Sequence, residues 1–192
     1  KKENKQYTEA ARQIIKTVRS FTPKIILKEL DITHAEAKKL KVDYTPSILF
    51  DPENYNIRWL GAPLGEEGRT FIETLIMMGY QKIKLNEEAA KVLERIDSSR
   101  HLKVFVSPTC PYCPQQAVNA LKAAISKPDF ISLEIIDIQA QPDLADNYNA
   151  HSVPQVFADE ILIAMGAQSE ELFMSSLEKM EQQIDAEGKS HK

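Results

Sequence analysis

The stretch "LKVFVSPTCPYCPQQAVNALKAAI", residues 102–125, holds both cysteines of the chain, Cys110 and Cys113. It begins as a short apolar run, breaks at Ser107-Pro108, and resumes with Ala117, Val118, Leu121, Ala124 and Ile125 on one helical stripe. A strand, a tight loop and a helix are therefore expected in that order, with the cysteines at the junction. Unpaired amides and the helix dipole favour negative charge at such a helix start. The thiolate of Cys110 is expected there with a pKa below the free value of about 8.5. Pro111 suits a first helical position. Cys113 falls one turn on, within disulfide reach and more shielded. In that arrangement Cys110 attacks a partner disulfide and Cys113 resolves the mixed disulfide. A buried, inert pair is the bland alternative, but inert burial does not call for two Cys-Pro steps at a strand-to-helix junction.

Outward from this stretch, the 192-residue chain reads twice. "LKELDI" (27–32) and "LEIIDI" (133–138) both read as strands. Each is followed by a proline that opens another strand, Pro46 in "YTPSILF" (44–50) and Pro154 in "SVPQVF" (152–157). "IRWL" (57–60) and "ILIAM" (161–165) come next, then Gly61-Ala62 and Gly166-Ala167. Closing helices carry Phe71, Ile72, Leu75 and Ile76 in one half and Phe173, Leu177, Met180 and Ile184 in the other. Ala11, Ile14, Ile15 and Val18 form an opening helix in the first half. "LNEEAAKVLERIDSSR" (85–100) reads as a bridging helix capped by Asn86, with Ala89, Val92, Leu93 and Ile96 inward. The boundary falls near residue 83, giving domains 1–83 and 84–192. The first half starts directly at its helix, so it is expected to be incomplete at its N-terminus through truncation, since a missing strand exposes a sheet edge. The tail "DAEGKSHK" (185–192) reads as a linker or frayed end.

The second half thus reads βαβαββα and, with "TCPYCP" (109–114), resembles the thioredoxin fold. The whole chain resembles the tandem-thioredoxin protein disulfide oxidoreductases and the N-terminal redox domain of the alkyl hydroperoxide reductase flavoprotein subunit. The fold implied is α/β, two tandem thioredoxin-like domains with a mixed central sheet flanked by helices. The resemblance implies a cis peptide at Pro154, with the Val153 backbone pairing with a substrate strand, and Thr109 and Tyr112 beside it as substrate-binding residues. "GAPLGEE" (61–67) matches a stretch whose glutamate reaches the cysteine pair, which puts Glu67 in the mechanism as a buried proton acceptor for Cys113. An acid in a helix's first turn is the plain alternative. The first-half counterpart of the cysteine motif, around Asn4 to Thr8, carries no thiol.

The expected function is that of a thiol–disulfide oxidoreductase relaying two electrons through a redox-active Cys110–Cys113 disulfide. By resemblance the donor is a flavoprotein dithiol and the acceptor a peroxiredoxin or other protein disulfide. No cofactor is expected within the chain, FAD and NAD(P)H belonging to a partner or a further domain. A glutaredoxin-like glutathione-dependent reductase, an iron–sulfur carrier and a non-catalytic docking module are the rival readings. Net charge is −4 and 43% of residues are hydrophobic, which argues against a nucleic-acid surface. No apolar run approaches a membrane span, and two cysteines beside four scattered histidines suit neither a structural disulfide framework nor a zinc site. With no export signal visible, a reducing cytoplasm is expected. His151 reads as a solvated loop histidine and Trp59 as core.

Overall fold

The structure, a computed structural model, describes residues 4–189, with side chains through Met180. Its elements are α1 (Lys5–Phe21), α2 (Ala35–Lys39), β1 (Ser47–Leu49), β2 (Ile57–Leu60), α3 (Glu67–Tyr80), α4 (Glu87–Glu94), β3 (Arg100–Val106), α5 (Cys113–Ser126), β4 (Ile131–Asp137), α6 (Pro142–Asn147), β5 (Gln155–Ala158), β6 (Ile161–Met165) and α7 (Glu170–Lys189). Helix α7 takes up residues 185–189 of the tail read as a linker; the rest of that tail, and the side chain of Ile184, lie outside the described residues.

Both halves join one six-stranded sheet in the order β1-β2-β4-β3-β5-β6. The seam is the parallel pairing of β2 with β4, which sets Trp59 opposite Ile135. β3 runs parallel to β4 and antiparallel to β5, so the sheet is mixed. Alternation along the strands splits the apolar side chains between two faces. Leu102, Val104 and Val106 of β3 point with Leu133 and Ile135 into the larger core under α3, α4, α5 and α7. Phe105, Ile136 and Phe157 point into a smaller one with Leu144 of α6. Each helix forms for local reasons as well. Asn86 caps α4 by accepting the Ala89 N–H at 2.7 Å, and Ala89, Val92, Leu93 and Ile96 are buried beneath it.

Three expectations are overturned by the fold. The bridging helix read over 85–100 is the shorter α4, and Arg100 already belongs to β3. Residues 27–32 form no strand: Ile26 is 94% exposed, and the segment runs beside helices instead of in a ladder. Arg12 of α1 donates to Glu29 at 2.5 Å, and Arg19 to the Ile25 carbonyl at 3.2 Å. A strand needs a neighbouring backbone to bond, and among the described residues none lies along the outer edge of β1. The inward face of α3 is also rotated from the apolar stripe. Ile72 and Ile76 are exposed, while Glu67, Thr70, Phe71, Thr74 and Met77 are buried. Three polar side chains thus share the inner face of α3 with Phe71 and Met77, and Leu75 packs at its margin.

Candidate active site

The cysteine loop leaves the end of β3 and turns twice before α5. Cys110 and Cys113 are joined by a disulfide with Cα atoms 5.5 Å apart. Helix α5 begins at Cys113, so Cys110 lies in the loop ahead of it and not in its first turn. The proline in that first turn is therefore Pro114, and Pro111 shapes the loop. The dipole argument survives this shift, since the Cys113 N–H points at Cys110 Sγ from 3.1 Å. Such a donor favours a thiolate when the bond opens. Exposure separates the two cysteines: Cys110 is 9% exposed as a residue and Cys113 is fully buried.

Val153–Pro154 is a cis peptide, and Cys110 Sγ lies 3.7 Å from the Val153 carbonyl oxygen. Tyr112 and Thr109 are exposed at the mouth of the loop, with Thr109 bonded through its hydroxyl to Ser107 at 3.2 Å. His151 is exposed and lies 3.8 Å from the Asp146 carboxylate. Trp59 is wholly buried at the seam, edge-on to Phe71.

Glu67 reaches this region through the backbone of its own loop. The Glu66 N–H donates to the Pro108 carbonyl at 3.0 Å, tying the Gly61–Glu67 stretch to the residue two before Cys110. Gly65 makes that approach feasible. Its φ is +55°, and any Cβ there would strike the Pro108 carbonyl oxygen. Glu67 itself is 1% exposed and neither carboxyl oxygen has a hydrogen-bond partner. Burial pushes its pKa from 4.5 up to about 8. At neutral pH it is mostly a carboxylic acid.

Gly65→Ala is expected to cost about 2 kcal/mol or more, combining a positive φ with a backbone clash. Gly68→Ala in α3, where a Cβ meets only the Pro63 carbonyl at 3.7 Å, should be neutral or gain roughly 0.5 kcal/mol. Urea midpoints of the two variants test the difference; equal midpoints would remove the close approach from the account.

The first half carries a mirror of this site that is closed by packing. Thr45–Pro46 is also cis, and the Gly61 N–H bonds the Pro46 carbonyl as the Gly166 N–H bonds that of Pro154, at 3.0 and 2.8 Å. Asn4 stands at the N-terminal cap position of α1 without a side-chain capping bond. Its side chain donates to the Ala140 carbonyl at 2.8 Å, and Gln141 donates to the Thr45 carbonyl at 3.2 Å. Residues 140 and 141 of the second half thus bond directly to Asn4 and Thr45 of the first. Asp137, which the sequence does not single out, is as buried as Glu67. The signal available was an acid closing an apolar strand beside a glycine-rich loop, and nothing local separates that from an ordinary strand end.

Residues 100–179 match the family model described as a thioredoxin domain. A probable thioredoxin of Methanothermobacter thermautotrophicus is 37% identical over 82 residues, covering 42% of this chain and 96% of that protein. The solved N-terminal (NTD_N/C) domain of alkylhydroperoxide reductase AhpF from Enterococcus faecalis has a TM-score of 0.79 at 21% identity, over 91% of this chain and 86% of the other. A protein disulfide oxidoreductase from Aeropyrum pernix K1 has a TM-score of 0.72 at 23% identity, over 88% and 78%. At these identities the two structures bear on the fold.

Proposed function

This chain belongs to the thioredoxin family as a thioredoxin-fold disulfide oxidoreductase, and from that premise we propose that Cys110 and Cys113 relay two electrons from a flavoprotein dithiol to a peroxiredoxin or similar protein disulfide. The single observation that carries the proposal is the asymmetry of the disulfide. Cys110 keeps 9% exposure beside the cis Val153–Pro154 peptide, and Cys113 is fully buried behind it.

Reduction begins when a donor thiolate bonds to Cys110 Sγ and the S–S electron pair passes to Cys113. Glu67, neutral and buried, protonates the departing Cys113 sulfur. A second donor thiol attacks the mixed disulfide and frees Cys110 as a thiolate, held by the Cys113 N–H. The reduced protein then runs the sequence backwards on its acceptor. Cys110 attacks, Cys113 gives its proton back to the Glu67 carboxylate, and the resulting thiolate displaces the acceptor's reduced sulfur. Val153 and Pro154, with Thr109 and Tyr112 at the rim, form the surface against which an extended substrate segment lies. Edge backbone groups bind such a segment without reading its sequence. FAD and NAD(P)H belong to the donor, on a separate chain or domain. The setting is read as cytoplasmic; among the described residues no helix is long and apolar enough to cross a membrane.

Equilibration against glutathione tests the direction of flow. A potential near the roughly −270 mV of thioredoxin is expected for a reductant relay, whereas one near the approximately −120 to −180 mV of oxidases and isomerases would reverse the direction. Failure to exchange with any dithiol would overturn the proposal.

A further inference from the structure

Asp137 is buried as deeply as Glu67, each 1% exposed, and the exchange steps make no use of it. Its position follows from strand alternation. Leu133 and Ile135 of β4 point into the larger core, so Asp137 points to the same face, the one on which α3 and α5 pack. β4 lies between β2 and β3. Asp137 therefore stands level with the ends of the two strands that lead into the Gly61–Glu67 loop and the cysteine loop. It pairs with Val106 of β3, and a Cβ on Gly61 would come within 2.7 Å of its own Cβ. Gln139 links it to the cysteine loop. The backbone N–H of Gln139 donates to Asp137 Oδ1 at 2.9 Å, and its side chain donates to Ser107 Oγ at 3.2 Å. Asp137 Oδ2 has no partner, nor has either carboxyl oxygen of Glu67.

Two carboxylates in one buried corner repel, so such a pair keeps a proton between them. We propose that Glu67 and Asp137 form one proton-holding pair behind the cysteines, with Asp137 as the positioning residue whose negative charge keeps Glu67 protonated while the disulfide is intact. This rests on the role given to Glu67 above. When an incoming thiolate bonds to Cys110 Sγ, the S–S electron pair goes to Cys113 Sγ and the Glu67 proton follows it. The pair then carries two negative charges. That repulsion makes it a strong enough base to draw the proton back when Cys113 must become a thiolate again.

The surrounding charges agree. Burial raises Asp137 to about 6, and the charge on Asp137 adds to what burial does at Glu67. Asp137 ionises first, while Glu67 is neutral, so it feels no charge from its partner. The other groups facing the pair are Tyr7 of α1, raised by burial and by the Asp137 charge, the Glu66 carboxylate, which raises Glu67 further, and the buried Thr70 hydroxyl, which opposes the rise by favouring the Glu67 carboxylate. The charges acting on Glu67 are those of Asp137 and Glu66, both negative.

Infrared difference spectra of the oxidised protein, following protonated carboxyl absorption across pH, test the pair. Wild type should show two separated steps. Asp137→Asn should leave one step, with proton binding about tenfold or more weaker than in the upper wild-type step. Glu67→Gln should leave one step at the lower wild-type position. An Asp137→Asn step that stays at the upper position would overturn the pairing. Asp137→Ser, whose hydroxyl can still accept from Gln139, repeats the measurement if Asn disturbs the turn. On the same proteins, the pH at which disulfide opening by a small dithiol slows should move with the titration. A titration that moves with an unmoved rate profile would overturn proton delivery to Cys113 and leave the pair standing.

Discussion

Cys110→Ser removes disulfide exchange altogether, by at least about 10³-fold in an insulin-reduction assay, because serine cannot form the mixed disulfide on which every later step depends. Cys113→Ser behaves differently. Its Cys110 is still accessible and still receives the amide of residue 113, but no resolving thiol remains behind it. The expected result is a stable adduct with a peroxiredoxin disulfide, visible on a non-reducing gel and released by dithiothreitol. The pair of outcomes depends on the exposure difference between the two cysteines, 9% against 0%. If Cys113→Ser traps nothing while Cys110→Ser retains turnover, the attacking and resolving roles are reversed or absent. Retained insulin reduction in both variants would leave the scaffold as a docking module.

Glu67→Gln has effects of opposite sign on stability and on catalysis. A carboxyl whose folded-state pKa is raised from 4.5 to about 8 binds its proton more tightly folded than unfolded. The folded state therefore loses stability as pH rises from 4.5 towards 8, by up to about 4 kcal/mol at the upper end. Asp137, raised to about 6, adds a loss of the same sign that is complete by that pH. Gln at position 67 cannot ionise, so the variant escapes the Glu67 part of this loss. Against that stands an unpaired buried amide, costing about 1–3 kcal/mol. The variant should match or fall below wild type near pH 4.5 and exceed it near pH 8, by roughly 3–10 °C in melting temperature. At neutral pH its disulfide opening should be about 10–100-fold slower, the lower range of general acid catalysis. Melting curves at several pH values check the first effect and stopped-flow reduction the second. Parallel curves would mean that Glu67 is ionised in the folded protein. Unchanged opening rates and pH profile would remove it from the mechanism.

The two effects have one origin. A carboxyl held away from water destabilises the fold at neutral pH, yet in the proposed mechanism it supplies the proton to Cys113, the fully buried cysteine. Functional groups held at such a cost are a common reason for strongly shifted acids in clefts.

The sequence by itself determined the parts of this protein that depend on neighbours along the chain. The strand, loop and helix around Cys110 and Cys113, the Asn86 cap, and the inward stripes of α4 and α5 follow from alternation, helical spacing and capping chemistry. Each is a local rule acting over a few residues. The start of α5 was misplaced by a few residues because either proline of the motif can open a helix. Only the tertiary structure decided what requires strands brought side by side. Residues 27–32 have strand-like composition, yet they lack a neighbouring backbone to bond and stay irregular. In α3, Phe71 and Leu75 of the expected stripe face the core while Ile72 and Ile76 turn outward, and Thr70 and Thr74 are buried in their place. Asp137 and Glu67, 70 positions apart, come into one corner because β2, β4 and β3 end together. Electrostatic repulsion acts through space, and the order of strands in a sheet is not written in the spacing of residues along any one of them.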